Sequence, residues 1–481
     1  MKLKINGKDG EIAADVLTVT ELLKIKDVRM PEMVSVELNG EILDRDKFAD
    51  TRIKENDSVE FLYFMGGGQE TTGFSTRALH AGNISSKETG ATALPIYTAA
   101  AFGYDTAAGL ADVFDGRAYG HVYSRISNPT VAAFEQRVNS LERGRGAVAV
   151  SSGMAAIATV IFALTAQGDE IVAAKSLFGG TLLFFNDLIS KYGVKVVYVD
   201  TTDTESYKKA INDKTRLIFI ETIANPKLDV PDISAIAAVA AGNNIPLVVD
   251  STITTPYLFD AKKSGAAVVV HSATKYMTGN GTAIGGILVD TGVYNWRLSK
   301  NPSLAKYTAK FGEFAFLAAA RKQVLQNAGS CLSPFNAFLH CLALETLSLR
   351  MEKHCANAEA VAAYLSAHPG VKSVNYPGLE NSPHRELAAK QFKGRFGALL
   401  TISLGTKEKS FDFINRVKIA KNAANIGDAK TLVIHPASTI FHDCTKEETL
   451  AAGVTEDMVR VSVGIEDVVD IIADFEQALK G

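Results

Sequence analysis

Hydrophobic and polar positions fall into three regimes along the chain. Over residues 1–65 the apolar runs are short and broken by turn residues. Lys2–Asn6 (KLKIN) and Glu11–Ile12 flank a Gly-Lys-Asp-Gly turn, which predicts a β-hairpin. Val19–Lys24 (VTELLK) follows Thr18, a suitable N-cap, and predicts a short helix. Val34–Leu38 reads as a strand before the turn Asn39-Gly40, and Ser58–Phe64 (SVEFLYF) as a strand of strong β-propensity. The order β-β-α-β-β predicts a small β-grasp fold, followed at once by Gly66-Gly67-Gly68.

In the second regime short β-branched runs alternate with segments of helical composition, the pattern of a mostly parallel α/β sheet. The expected strands are Ala147–Ser151, Glu170–Ala173, Lys195–Val199, Leu217–Ile220, Leu247–Val249 and Ala267–Val270, with a helix over Met154–Leu164. From about Ser333 the pattern changes to long helices, Pro334–Leu349 and Lys353–Ala367. A strand at Ala398–Leu404 and a terminal helix at Asp467–Leu479 follow. This divides the chain into a β-grasp domain (1–65), a linker and arm (66–127), a large α/β domain (128–326) and a smaller C-terminal α/β domain (327–481). A length of 481 residues suits such a division, since one core rarely serves so long a chain.

Charge adds little: a formal net charge of -3 gives no electrostatic reason for nucleic acid or an anionic membrane as partner. Cys331, Cys341, Cys355 and Cys444 form no CxxC pair and no zinc-like spacing, so a reduced, cytoplasmic setting and no metal are expected. MKLKINGKDGEI lacks the apolar run of a signal peptide. The run Ala155–Ala166 is too short to span a bilayer.

Chemistry concentrates at three strand ends, where open α/β sheets bind ligands. Leu217–Ile220 runs into Glu221-Thr-Ile-Ala-Asn225-Pro226, Leu247–Val249 into Asp250-Ser251-Thr252, and Ala267–Val270 into His271-Ser272-Ala273-Thr274-Lys275. A lysine after an apolar strand is desolvated toward the neutral nucleophile, and an aspartate at a neighbouring strand end suits a protonated ring nitrogen. Taken singly, each is as readily a solvated loop residue. Ser151-Ser152-Gly153-Met154 joins a strand directly to a helix N-terminus, an arrangement that binds anions or simply caps the helix. Tyr123-Ser124-Arg125, before Asn128-Pro129-Thr130, suits phosphate or mere packing.

Together these segments resemble the Cys/Met-metabolism enzymes that use pyridoxal 5'-phosphate, the cystathionine γ-synthase-like group of fold-type I. The resemblance covers residues 74–481 and rests on YSRISNPT (123–130), SSGMAAI (151–157), ETIANP (221–226), VVDST (248–252), HSATKY (271–276) and VRVSVGIED (459–467). SPFNAFLHCLALETLSLR (333–350), NIGDAKTLVIHPAST (425–439) and AAGV (451–454) resemble the O-acetylhomoserine sulfhydrylase subgroup. The resemblance implies that Lys275 attaches the cofactor covalently and that Asp250 pairs with its ring nitrogen. It implies that Gly153, Met154, Ser272 and Thr274 hold the phosphate, and that Asn225 and Thr252 lie by the ring and its phenolic oxygen. Tyr123 and Arg125 would reach the phosphate of a neighbouring subunit, in a homodimer or homotetramer with shared active sites. Arg460, with Ser438 beside it, would take the substrate α-carboxylate. Phe178 departs from the group's usual tyrosine: it can stack on the ring but offers no phenol for proton transfer.

The implied reaction is γ-replacement on O-acetyl-L-homoserine, forming homocysteine in methionine biosynthesis. Methionine γ-lyase and cystathionine γ-synthase are the enzyme alternatives. A sulfur carrier with a degenerate enzyme domain is the non-enzyme one. Residues 1–68 resemble the sulfur carriers of thiamin and molybdopterin biosynthesis (ubiquitin-like, ThiS/MoaD-type), which end in Gly-Gly. Here Gly67 and Gly68 are internal, and a peptide carbonyl cannot become a thiocarboxylate unless the chain is cut after one of them. A cleaved sulfur donor, a fused docking module and a flexible linker all fit.

Overall fold

The fold is that of a computed structural model, which describes residues 1–480 except positions 7, 15, 27, 29–33, 44–46, 64–71, 83–89, 116, 117 and 300. Gly67 and Gly68, the expected carrier tail, lie outside the described residues. So does Phe64, the expected end of its strand.

The N-terminal unit is built as its pattern predicts, with additions. Strands β1 (Lys2–Ile5) and β2 (Lys8–Glu11) form the hairpin. Two short strands, β3 (Leu17–Thr18) and β6 (Arg52–Ile53), pair apart from the main sheet. Strand β4 (Val34–Leu38) turns at Asn39-Gly40, both at positive φ, into β5 (Glu41–Ile42), the geometry that tight hairpins need. With β7 (Ser58–Tyr63) the sheet order is β2-β1-β7-β4-β5, and β1 and β7 run parallel. Thr18 and Glu21 form a reciprocal capping box on the helix Val19–Ile25. That helix buries Val19, Leu22 and Leu23 in one core with Leu3, Val34, Val36, Val59 and Phe61.

The large sheet comprises β8 (Gly146–Val150), β9 (Glu170–Ala174), β10 (Lys195–Val199), β11 (Thr215–Glu221), β12 (Leu247–Asp250), β13 (Val268–His271) and β14 (Gly286–Asp290). Its order is β10-β9-β11-β12-β13-β14-β8. Pairing is parallel from β10 to β13; β14, which the hydrophobic pattern does not single out, is antiparallel to both neighbours. Because β11, β12 and β13 are adjacent and parallel, their carboxyl ends converge on one place.

The C-terminal sheet has the order β15-β16-β19-β18-β17, from β15 (Ser373–Asn375), β16 (Leu399–Ser403), β17 (Lys421–Asn422), β18 (Leu432–Ile434) and β19 (Met458–Ser462). The expected helix Pro334–Leu349 is instead broken after Leu344, and a second helix runs Leu347–Ala367. The break has a tertiary cause. The Arg350 guanidinium turns back to take the carbonyl of Ala343 at 2.8 Å, and also those of Tyr276 and Met277. It caps the first helix and ties down the segment that follows Lys275.

Candidate active site

One cavity of about 320 Å³ collects residues from all three convergent strand ends, from the helix Gly153–Leu164 and from the C-terminal sheet. It is lined by Gly153, Met154, Phe178, Asn225, Asp250, Thr252, Ser272, Thr274, Lys275 and Arg460. Ten of the expected site residues are thus brought together. Three are not. Tyr123 is 45% exposed and Arg125 donates to the Gln326 carbonyl, its guanidinium 5.5 Å from the Tyr123 ring. Ser438 sits in the turn Pro436–Ser438, where its hydroxyl and backbone N–H meet His435 Nδ1; Ile440, two residues on, lines the cavity.

Lys275 follows β13 by four residues. Its amine donates to Asn425 Oδ1 at 2.6 Å. Burial, reinforced by the nearby Arg460 guanidinium, lowers its pKa to about 8, so the neutral amine is far more accessible near neutrality than in an ordinary lysine. Asp250 ends β12 and accepts the Thr252 N–H at 2.9 Å. Burial pushes its carboxyl up, so a cation placed against it, such as a protonated ring nitrogen, would be welcome. Behind it His271 is fully enclosed. Its Nδ1 donates to the Ser251 carbonyl at 3.1 Å, and Nε2 lies 2.6 Å from Glu142.

The phosphate end fits equally. Ser152 caps the helix Gly153–Leu164 through the Ala155 N–H at 3.1 Å, leaving the amides of the first turn toward the cavity. Gly153 packs so closely on the β13 loop that an added Cβ would fall 2.5 Å from the Cβ of Ser272. Only a glycine lets these two strand-end turns form a shared anion cradle. Thr252 Oγ1 accepts the Ser272 N–H at 2.8 Å, and Thr274 Oγ1 exchanges hydrogen bonds with the Gly285 backbone.

At the other end Arg460, buried in β19 between β16 and β18, donates to Asn225 Oδ1 at 3.2 Å and to the Asn425 carbonyl at 3.1 Å. A guanidinium held this way keeps donors for a carboxylate. Its pKa falls to about 10 through burial, and it remains a cation at neutral pH. Among the described lining residues there is no tyrosine, in keeping with phenylalanine at 178. Two polar lining residues received no role from the sequence: Glu221, which opens the ETIANP segment, and Asn425, which opens NIGDAKTL. Isoleucines 157, 223, 253, 284, 426 and 440 supply the apolar wall. This set could hold an aromatic phosphate with a cationic ring nitrogen and an amine-reactive carbonyl, and a carboxylate beside it.

Comparison with known proteins agrees with this chemistry. The family model described as Cys/Met metabolism PLP-dependent enzyme matches residues 75–480, and the ThiS family model matches residues 3–68. The O-acetyl-L-homoserine sulfhydrylase of Leptospira meyeri is 42% identical over 84% of this chain and 96% of its own. The L-methionine gamma-lyase of Treponema denticola is 40% identical over 85% of this chain and 97% of its own. Among solved structures, an O-acetylhomoserine (thiol)-lyase of Campylobacter jejuni carrying N'-pyridoxyl-lysine-5'-monophosphate superposes with a TM-score of 0.81. It is 33% identical and covers 85% of this chain and 100% of that one.

Proposed function

This chain belongs to the Cys/Met-metabolism PLP-dependent enzymes, and we propose that it replaces the acetyl group of O-acetyl-L-homoserine with a sulfur nucleophile to form homocysteine. The observation that carries the proposal is the meeting, in one cavity, of the Lys275 amine, the Asp250 carboxyl and the Arg460 guanidinium beside the Gly153 cradle.

The Gly153–Met154 amides, Ser272 and Thr274 would hold the phosphate, Phe178 would cover the ring, Asp250 would face its nitrogen and Lys275 would bind it covalently. Bound pyridoxal 5'-phosphate supplies an electron-withdrawing ring that stores the electrons left when a Cα proton is removed. Arg460 clamps the α-carboxylate with its planar fork, as arginine does best, and so points Cα at the lysine. Lys275, with its lowered pKa, takes the Cα proton when its amine is free and returns one at the end. The isoleucines make an apolar wall beside the place where acetate would leave and sulfur add.

Two further parts extend the proposal. Ile284, which lines the cavity, is 61% exposed, and its carbonyl takes the Asn336 side chain at 2.8 Å; Phe335, the residue before Asn336, is 55% exposed. In an assembly of copies, Tyr123 and Arg125 would reach a neighbour's phosphate, which they do not do within their own chain. The ThiS-family unit would act as sulfur donor once the chain is cut after Gly67 or Gly68, with free sulfide serving otherwise. Reaction placement in the cytoplasm accompanies this reading.

The test is direct. Purified protein loaded with pyridoxal 5'-phosphate is given O-acetyl-L-homoserine and sulfide, and homocysteine is quantified. Release of α-ketobutyrate from methionine at a comparable rate, without homocysteine formation, would overturn the proposal in favour of the lyase. Intact mass from native cells decides the donor: fragments split beside Gly67 or Gly68 support it, and a single full-length species refutes it.

A further inference from the structure

Glu221 ends β11 directly beside Asp250, with which it is paired in register across the parallel sheet. It is 6% exposed, yet lines the cavity. Its Oε1 accepts the backbone N–H of Phe178 at 2.7 Å, and its Oε2 accepts the backbone N–H of Asn225 at 3.2 Å. One carboxyl therefore ties together two segments, each of which sends a side chain into the cavity; Ser176 Oγ, donating to Asp229 at 2.9 Å, links them a second time farther out. Phe178 stands just before the helix Gly179–Leu183 and has no side-chain cap of its own. Asn225, in turn, accepts from Arg460.

We propose that Glu221 is a positioning residue for the cofactor ring: its two oxygens set the height of Phe178 over one face of the ring and the place of Asn225 at its edge. The inference rests on the cofactor belonging in this cavity, not on which substrate it serves. Burial and the neighbouring Asp250 push the Glu221 carboxyl well above the usual carboxylate range. The orientation of Asn225 follows as well. With Oδ1 turned to Arg460, its Nδ2 edge is the donor available to a phenolic oxygen. A glutamine in place of Glu221 keeps the volume but aims an NH2 group at one of the two backbone N–H groups.

The experiment titrates the apoprotein of wild type, Glu221→Gln, Phe178→Ala and the double variant with pyridoxal 5'-phosphate. It follows the visible absorbance and circular dichroism of the bound cofactor. Glu221→Gln is expected to weaken binding by roughly 10-fold, as one lost buried hydrogen bond does. It should also alter the visible circular dichroism, which reports ring tilt. If Glu221 acts through Phe178, the double variant loses clearly less than the product of the two single losses. Wild-type affinity and dichroism in Glu221→Gln, or strictly multiplicative losses, would overturn the proposal. Should Glu221→Gln fail to fold, Glu221→Asp, whose shorter side chain cannot span both N–H groups, is read in the same way. Whether the wild type binds the cofactor at Lys275 is tested separately by borohydride reduction and peptide mass, so failure of the premise is distinguishable from failure of the inference.

Discussion

The amine of Lys275 and the side-chain oxygen of Asn425 stand 2.6 Å apart, although 150 positions separate them in sequence. The backbone carbonyl of the same asparagine takes the Arg460 guanidinium at 3.1 Å. Asn425 thus joins the group proposed to move the proton to the group proposed to clamp the carboxylate. Replacing it with alanine removes the first contact and spares the second. Asn425→Ala is therefore expected to lower kcat by roughly 10-fold, with KM for O-acetyl-L-homoserine little changed. Steady-state kinetics read this split, and a change confined to KM would contradict it.

The pH response of the apoprotein follows from Lys275. Its pKa falls from an ordinary 10.5 to about 8 on folding, chiefly through burial. Between these values the unfolded chain binds more protons than the folded one, so stability rises with pH across that window. Below about pH 8 folding carries the full cost of an enclosed ammonium, on the order of 3 kcal/mol. Lys275→Met removes that cost. Denaturant unfolding of the two apoproteins is expected to show the methionine variant ahead at pH 7 and its advantage shrinking toward pH 10. A pH-independent difference would contradict the assignment. The same variant should show no cofactor mass after borohydride reduction.

How much of this was legible beforehand depends on where each cause lies. The strand ends at Glu221, Asp250 and His271 could be read because buried parallel strands are short β-branched runs that stop at polar residues. Strand β14 could not, since Gly285-Gly286 breaks its pattern and one of its two antiparallel neighbours, β8, is remote in sequence. The helix break after Leu344 was hidden for a similar reason: its cap is a side chain from the next helix, Arg350. Lys275 and Asp250 were visible as residue types suited to a role at strand ends, and Arg460 through the resemblance of VRVSVGIED. Glu221 and Asn425 were not, because what they do is set by the atoms they meet, Phe178 and Asn225 for one and Lys275 for the other. Tyr123 and Arg125 lie away from the cavity of their own chain, so their assigned role depends on a second copy.

Arg460 offers a sharper test of substrate recognition. It is buried, and two of its donors are engaged by Asn225 and Asn425. Lysine would keep the charge but lose the planar fork. Arg460→Lys is expected to raise KM for O-acetyl-L-homoserine by roughly 10- to 100-fold, the range of a lost charge-assisted hydrogen bond. The visible absorbance of the bound cofactor should stay near wild type. A loss of cofactor with an unchanged KM would move Arg460 from substrate to cofactor binding.

The loop that carries Asn425 is held against the Lys275 segment by Gly427. Its φ is +68°, and a Cβ there would lie 2.6 Å from the Tyr276 N and 2.7 Å from its ring. Its N–H donates to Ser462 Oγ at 2.9 Å, which leaves the backbone little room to retreat. Two costs therefore add in Gly427→Ala, the left-handed conformation and the overlap. Gly394 separates them, having φ +74° with nothing within 4 Å of its Cβ position. Gly394→Ala should cost only about 1 kcal/mol, the strain of the conformation alone. Gly427→Ala should cost clearly more, by roughly 1–3 kcal/mol of overpacking. It should also reduce kcat as Asn425→Ala does, because the asparagine is carried away from the amine. Denaturation midpoints and kinetics of the two variants side by side decide the matter. Equal destabilisation with full activity in both would mean that the loop yields freely, and that Asn425 is not held in place by this contact.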